Sequence, residues 1–290
     1  MQTFSSKCPA KINLFLKLVG QRPNGFHELE SLFAFLDLAD ELTVSRHPEL
    51  VSGSSLKLEI TGEFAAAIDQ KNNLFTKILD FFAAEFSVSK NLHVKIVKNI
   101  PVAAGLGGGS SNAAYFLHAL NEIFALNLSE KELQKISLNF GSDIAFLLQN
   151  QAAIVKGRGE IIEKFSNFAP ISALLINPKI AVSTKEIFEK FDGVFSPKFE
   201  TENLLKKDVF DLLKNFANDL QNPAIAALPL IAEILTNLKN NGAKITKMSG
   251  SGASCFAIFE SEKDLNLAEE FFVKNFPNFF TKKVKILANV

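Results

Sequence analysis

Residues 101 to 117 read PVAAGLGGGSSNAAYFL, and no other stretch restricts the fold of this chain so tightly. Gly105, Gly107, Gly108 and Gly109 lead straight into Ser110 and Ser111. Ala113, Leu117, Leu120 and Phe124 then follow at i, i+4, i+7 and i+11, a spacing that predicts a helix. Glycine loses more conformational freedom on folding than any other residue. Four glycines at a helix entrance are therefore costly unless the backbone must turn tightly or meet something closely. The first N–H groups of a helix have no intrahelical partners and carry partial positive charge, so this entrance suits a polyphosphate. The two serines add hydroxyls, and Ser110 is the candidate ligand for a magnesium ion.

Two familiar phosphate loops are excluded. A Walker A loop requires Lys and then Ser or Thr after its last glycine, whereas Gly109 precedes Ser110. A dinucleotide fingerprint requires Gly or Ala three residues after Gly107, where Ser110 stands. A second glycine-rich stretch, MSGSGASCFAIF, sets Gly250 and Gly252 before an apolar strand. Alone it reads equally well as a tight turn; as one of a pair, it can close over what the first loop holds.

Around these loops the pattern is mixed. AKINLFLKL, residues 10–18, alternates: Ala10, Ile12, Leu14 and Leu16 share one face, and Lys11, Asn13 and Lys17 the other. That predicts a half-buried strand. RPNGF follows as a turn. DELTVSR and LKLEI read as further short strands, NLHVKIVKNIPV as a strand leading into the glycine loop, AAIVKGRGE as a strand and a glycine turn, ISALLINPKI as a buried strand, and residues 73–86 as a helix. SEKELQKISLNF opens with Ser129 and Glu132, a capping-box pair, and stops at Gly141. Helices are expected over 183–191, 203–217 and 229–240. Strands in hairpin-like spacing mixed with helices predict an α+β fold rather than a doubly wound parallel sheet. The length of 290 residues suits two domains, divided near residue 160 into 1–160 and 161–290.

Composition removes several function classes. Thirty-one basic and 31 acidic residues leave no net charge, which argues against a broad nucleic-acid footprint. The only cysteines, Cys8 and Cys255, belong to no CxxC pair and read as reduced thiols; the four histidines form no HExxH, so a zinc site is not expected. No apolar run reaches the roughly 18 residues of a membrane span. The first residues, MQTFSSKCPAK, hold no signal-peptide core, so a cytoplasmic protein is expected.

Three side chains are candidates for chemistry. Lys11, beside Asn13 on one strand face, can meet a phosphate as a point charge, or simply face solvent. Asp143, ahead of the apolar run IAFLL, can orient a hydroxyl or cap a helix. His27 follows the PNGF turn and is either structural or a ligand contact.

In that order, PAKINLFLKLVGQRPNGFHELESLF, PVAAGLGGGSSNAAYFL, GSDIAFLL and KMSGSGASCF resemble the motifs of the GHMP kinases, over about residues 8 to 260. The pairing of AKINLFL with RPNGFHEL is most similar to the branch that acts on a cytidine diphosphate-linked methylerythritol in the non-mevalonate route to isoprenoids. The resemblance implies an N-terminal ATP-binding domain, a ferredoxin-like C-terminal domain and a substrate cleft between them. It also implies ATP and Mg²⁺, with phosphorylation of the substrate's 2-hydroxyl. By motif, Lys11 and Asp143 fall on the catalytic positions. Asn13 falls on a substrate-positioning asparagine and His27 on the residue that reads the cytosine edge. Phe26 stands where the family commonly has a Tyr stacked on the base; Asn24 replaces a frequent Asp. Pro101, Val102, Ala103, Ala104, Gly105, Leu106, Gly107, Gly108, Gly109, Ser110 and Ser111 map onto the phosphate-cradling loop, and Lys98, Asn73 and Leu74 onto positions around the adenine. Gly250 and Gly252 fall on the third motif. A sister kinase for mevalonate, homoserine or galactose is disfavoured by GFHEL, because those substrates offer no base to stack on. A non-catalytic RNA-binding module is disfavoured by the zero net charge together with Lys11 and Asp143.

Overall fold

The computed structural model of the protein describes residues 2–46, 56–68, 73–165 and 168–290. Two long strands, β1 (Thr3–Gln21) and β2 (His27–Arg46), are joined by the predicted turn, where Gly25 adopts φ +84° and Arg22 N–H donates to the Phe26 carbonyl at 2.8 Å. The chain forms two compact units that are not successive stretches of sequence. One holds residues 1–10, 38–102 and 108–149; the other holds 11–37, 103–107 and 150–290. Each long strand therefore serves both units.

In the first unit, β3 (Lys57–Thr61) runs parallel to β4 (Leu92–Val97), and β4 pairs antiparallel with the far half of β2, Glu41 opposite Val97. Among the described residues, the α-helices of this unit are α1 (Leu74–Phe86), α2 (Gly108–Ile123), α3 (Glu130–Ser137) and α4 (Ile144–Leu147). Asn73 caps α1 by accepting from Thr76 N–H at 3.0 Å, and the capping box of Ser129 and Glu132 forms at α3. The α2 helix is buried on nearly every side, with Phe116 edge-on to Phe75 of α1 at 5.0 Å. A helix enclosed this way is held in place rather than draped on the surface.

The second unit contains the hairpin β5 (Ala153–Gly157) and β6 (Ile161–Lys164), with β5 antiparallel to β2. It continues with β7 (Ile171–Asn177), α5 (Thr184–Glu189), α6 (Thr201–Leu205), α7 (Val209–Asn215), α8 (Gln221–Ala227) and α9 (Leu230–Asn240). Then come β8 (Ile245–Met248), β9 (Cys255–Ile258), α10 (Glu262–Asn275) and β10 (Phe280–Leu287). Its last four strands lie in the order β10-β7-β9-β8, all antiparallel. With helices between β7 and β8 and between β9 and β10, this is the split βαβ arrangement of a ferredoxin-like layer. Leu174, Ile176, Ile234, Leu238 and Phe272 meet in its core.

The α+β class holds, and three local expectations change. The helix expected over 203–217 is two helices, because Asp208 caps α7 by accepting from Phe210 N–H at 2.8 Å and so restarts the helix there. The β6, α8, β8, α10 and β10 elements have no counterpart in the sequence reading. Finally, β1 is not half-buried: every residue from Cys8 to Leu18 is buried, including Lys11, Asn13 and Lys17. The polar face of the strand is covered because its polar groups find partners there.

Candidate active site

In the second unit, Lys11 and Asn13 are 5% and 1% exposed. Lys11 Nζ donates to Asn13 Oδ1 at 2.6 Å and lies 4.8 Å from the centre of the Phe33 ring. Asn13 Nδ2 donates to Ser31 Oγ at 2.9 Å, and that hydroxyl in turn donates to the Phe15 carbonyl. The main chain of Lys11 reaches the glycine loop directly, its N–H donating to the Leu106 carbonyl at 2.9 Å. A Cβ on Gly107, whose φ is +64°, would sit 2.7 Å from Lys11 Cγ. Only glycine allows the lysine stem to lie against the loop at this point.

The two glycine loops touch. Asn13 N–H donates to Ser249 Oγ at 3.1 Å, and Ser249 Oγ donates to the Gly105 carbonyl at 3.0 Å. Gly105 has φ +73°, and a Cβ there would lie 2.3 Å from the Ser249 carbonyl oxygen. Ser254 N–H donates to the Ala104 carbonyl at 3.3 Å. Lys11, Asn13, Gly105, Leu106, Gly107 and Gly250 are thus brought together, with Ser31 and Ser249 as members that the sequence reading missed. Ser249 had a signal, since it adjoins Gly250 in the second loop; Ser31 had none.

In the first unit, Lys98 is 2% exposed and forms an ion pair with the fully buried Asp40. Its Nζ also donates to Asn112 Oδ1 at 2.8 Å, and Asn112 Nδ2 donates to Asp40 Oδ2 at 3.0 Å. Asp40 Oδ1 accepts from the Asn99 and Ile100 N–H groups at 2.7 and 2.9 Å. The ammonium of Lys98 is therefore engaged within the protein, so an adenine contact by this residue does not run through its charge. The cluster instead fastens the approach to Pro101 and the first turn of α2. In that turn Gly108 lies against Ile100, whereas a Cβ on Gly109 would meet nothing within 4 Å. Ser110 is half-buried. Ser111 is fully buried, and its Oγ has no hydrogen-bond partner among the described residues. Asp143, half-buried, occupies the N-cap position of α4 but makes no side-chain capping bond, so helix capping does not account for it.

Phe26 and His27 lie in the second unit. Phe26 is 50% exposed, and the Arg158 guanidinium carbon sits 3.8 Å from its ring centre. Arg22 pairs with both Glu28 and Glu160, and Glu160 accepts from Arg158 N–H at 2.5 Å, tying the two turns together. The His27 ring lies 5.3 Å from Phe188, 5.8 Å from Phe191 and 6.2 Å from Phe195. Burial holds its pKa below the usual histidine value, so the neutral imidazole, with one donor and one acceptor nitrogen, prevails at pH 7. Cys8 and Cys255 are free and buried; burial pushes the Cys8 thiol up to about 12 and Cys255 higher still. Among the described residues, no three His, Cys, Asp or Glu side chains converge as a metal site, and no helix is long and apolar enough to cross a membrane.

A family model described as the GHMP kinases N terminal domain matches residues 73–158, and one described as GHMP kinases C terminal matches residues 201–278. The chain belongs to the GHMP kinases and is a transferase of phosphoryl groups to small molecules, with ATP implied as its co-substrate. Within that family it is 35% identical to the 4-diphosphocytidyl-2-C-methyl-D-erythritol kinase of Anaplasma phagocytophilum (strain HZ), over 99% of this chain and 96% of the relative. It is 33% identical to the enzyme of the same name from Clostridium beijerinckii, over 94% and 97%. A crystal structure of 4-(cytidine 5'-diphospho)-2C-methyl-D-erythritol kinase superposes with a TM-score of 0.76 at 26% identity, covering 97% of this chain and 99% of that one. The homoserine kinase of Cytophaga hutchinsonii shares the fold, with a TM-score of 0.68 at 15% identity over 100% and 96% of the two chains.

Proposed function

We propose that the protein uses ATP to phosphorylate the 2-hydroxyl of 4-diphosphocytidyl-2-C-methyl-D-erythritol, a step of non-mevalonate isoprenoid precursor synthesis carried out in the cytoplasm. The observation that carries this reading is the seat of Lys11, whose stem lies on Gly107 and whose N–H bonds to Leu106. A lysine built into the wall of a glycine-rich loop at a helix entrance is placed to offset charge on a transferring phosphoryl group. Phosphoryl transfer asks little covalent chemistry of a protein; it asks for in-line positioning and charge stabilisation.

In this reading, residues 101–111 hold the triphosphate, with the open space at Gly109 allowing close approach of backbone N–H groups. Asn73, Leu74 and the main chain at Lys98 surround the adenine. Asn13 positions the acceptor, and Asp143 orients its hydroxyl. With a loose transition state the proton leaves late, so orientation is the larger part of the Asp143 role. Phe26 stacks on the cytosine, and neutral His27 reads its edge, donating with one nitrogen and accepting with the other. Phe26 stacks as a Tyr would but contributes no phenol hydrogen bond.

The hard oxygen donors at the start of α2 fit Mg²⁺, and the absence of a carboxylate cluster among the described residues means the ion would arrive held mainly by nucleotide phosphates. Ser110, with the buried unpartnered hydroxyl of Ser111 beside it in sequence, would complete its ligands. When bound, Mg²⁺ neutralises phosphate charge.

The test is direct. Incubation with ATP, Mg²⁺ and the cytidylylated methylerythritol should yield ADP and a new monophosphate ester, and no ester on that substrate defeats the proposal. Asp143→Asn should abolish turnover while ATP still binds; activity within about tenfold of wild type would remove Asp143 from its assigned role.

A further inference from the structure

The second glycine loop is gripped from behind by a short segment with no assigned role. Residues 216–221, from the end of α7 to the first residue of α8, make four hydrogen bonds to residues 247–250. Lys247 Nζ donates to the Phe216 carbonyl, and Met248 N–H donates to Gln221 Oε1 at 3.2 Å. Asn218 Nδ2 donates to the Met248 carbonyl at 2.9 Å and to the Gly250 carbonyl at 2.7 Å. Asn218 Oδ1 accepts from Leu220 N–H at 2.9 Å. Both amide N–H groups and the amide oxygen of this buried side chain are therefore used, and the three partners fix which end of the amide is nitrogen.

The same segment grips β1. Leu16 N–H donates to the Ala217 carbonyl at 3.1 Å, and Asp219 N–H donates to the Leu16 carbonyl at 2.8 Å. Leu18 N–H donates to Asp219 Oδ2 at 2.8 Å, which also accepts from Ser196 Oγ at 2.8 Å. One bracket thus joins the strand that carries Lys11 and Asn13 to the loop that carries Ser249. On its far side that loop presses on Gly105, through Ser249 Oγ and through backbone contact.

We infer that Asn218 is a positioning residue for nucleotide binding: by holding the Met248 and Gly250 carbonyls it sets Ser249, and through Ser249 the Gly105 turn of the first glycine loop. The inference rests on the proposed placement of ATP phosphates on that first loop. Asn218 is the right residue type because two carbonyl oxygens must be met at once by one side chain. Aspartate of the same size would set an acceptor against both of them, and alanine would leave them buried without this donor.

The experiment measures ATP affinity by direct titration, and kcat and KM for each substrate, in Asn218→Ala, Ser249→Ala and the double variant. Asn218→Ala should weaken ATP binding about tenfold, with KM for ATP rising in step and KM for the alcohol changing less than about twofold. Because both residues act through one contact, the double variant should lose about as much as the worse single variant, not the product of the two. A purely structural role predicts a lower unfolding temperature with unchanged ATP affinity per folded molecule, and that outcome overturns the inference, as does strict additivity. If Asn218→Ala does not fold, Asn218→Ser, which keeps one donor, should show a smaller loss of ATP affinity than Asn218→Asp; equal affinity for both overturns it. Direct titration needs no acceptor, so failure of the enzyme on the cytidylylated alcohol would count against the proposed substrate and leave the Asn218 result readable.

Discussion

Each glycine-rich loop is introduced by a buried lysine, and the two lysines are held differently. Lys98, just before the first loop, is paired with the Asp40 carboxylate and the Asn112 amide. Lys247, just before the second, is 7% exposed and donates to the Phe216 carbonyl, with no carboxylate partner among the described residues. A full negative charge balances the first ammonium; a dipole only partly solvates the second. Burial accordingly pushes Lys247 down to about 8. The base of the first loop is thus a charge-balanced unit that fails when one member is removed, whereas the base of the second responds to pH.

The most damaging test of this contrast is Asp40→Ala. It strands the Lys98 ammonium in the interior, and the loss of a buried ion-pair partner costs about 3–5 kcal/mol, read from urea unfolding. Replacing both members together, as Asp40→Leu with Lys98→Met, should recover much of that loss; a single variant no worse than the double one breaks the argument. Next in size is Gly105→Ala. The added Cβ meets the Ser249 carbonyl oxygen at 2.3 Å with φ at +73°, so about 2 kcal/mol or more of stability should be lost together with ATP affinity. Gly109→Ala is its control. Its Cβ has open space, stability should stay within about 0.5 kcal/mol, and any loss of ATP affinity there reports on a ligand that needs the room.

The remaining test is one of pH and concerns Lys247. Folded, it loses its proton near pH 8; unfolded, near 10.5. Below pH 8, folding must bury an ammonium and the destabilisation is present in full. Between about pH 8 and 10.5 the unfolded chain holds a proton that the folded one has released, so stability rises with pH, by up to about 1.4 kcal/mol per pH unit from this group. Lys247→Met removes that rise. Unfolding curves of wild type and variant should converge or cross as pH increases through this window, and parallel curves across it would show that Lys247 is not the titrating group.

How much of this was legible in the chain depends on distance along it. The helix entrance at 105–111, the capping box at Ser129, the PNGF turn and the β7 strand were readable because each is encoded within a few consecutive residues. The cap at Asp208 is encoded locally as well, but leucines at helical spacing, Leu204 and Leu205 before it and Leu212 and Leu213 after it, read as one uninterrupted helix. For β10 the alternation of Val284 and Ile286 with Lys283 and Lys285 is present, and for α10 the spacing of Leu265, Ala268 and Phe272, but each pattern is short and carries no motif beside it. The site was legible only through its motif residues. Asp40, Ser31, Ser249 and Asn218 act on partners they meet only in the folded chain, and nothing next to them in sequence names those partners.

Lys11 and Asn13 show where the boundary lies. Alternation along residues 10–18 told correctly that they share a strand face, since side chains alternate with a period of two whatever the strand packs against. It could not tell that the face is buried, because burial depends on Leu106, Ser31 and Ser249, up to 236 residues away from Asn13. The sequence alone determined backbone preferences, turn positions and the glycine-lined helix entrance, which follow from local sterics and hydrogen bonding. Only the tertiary structure decided which buried charges are balanced and which loops lock together, because a buried polar group takes its energy from whatever the folded chain sets beside it.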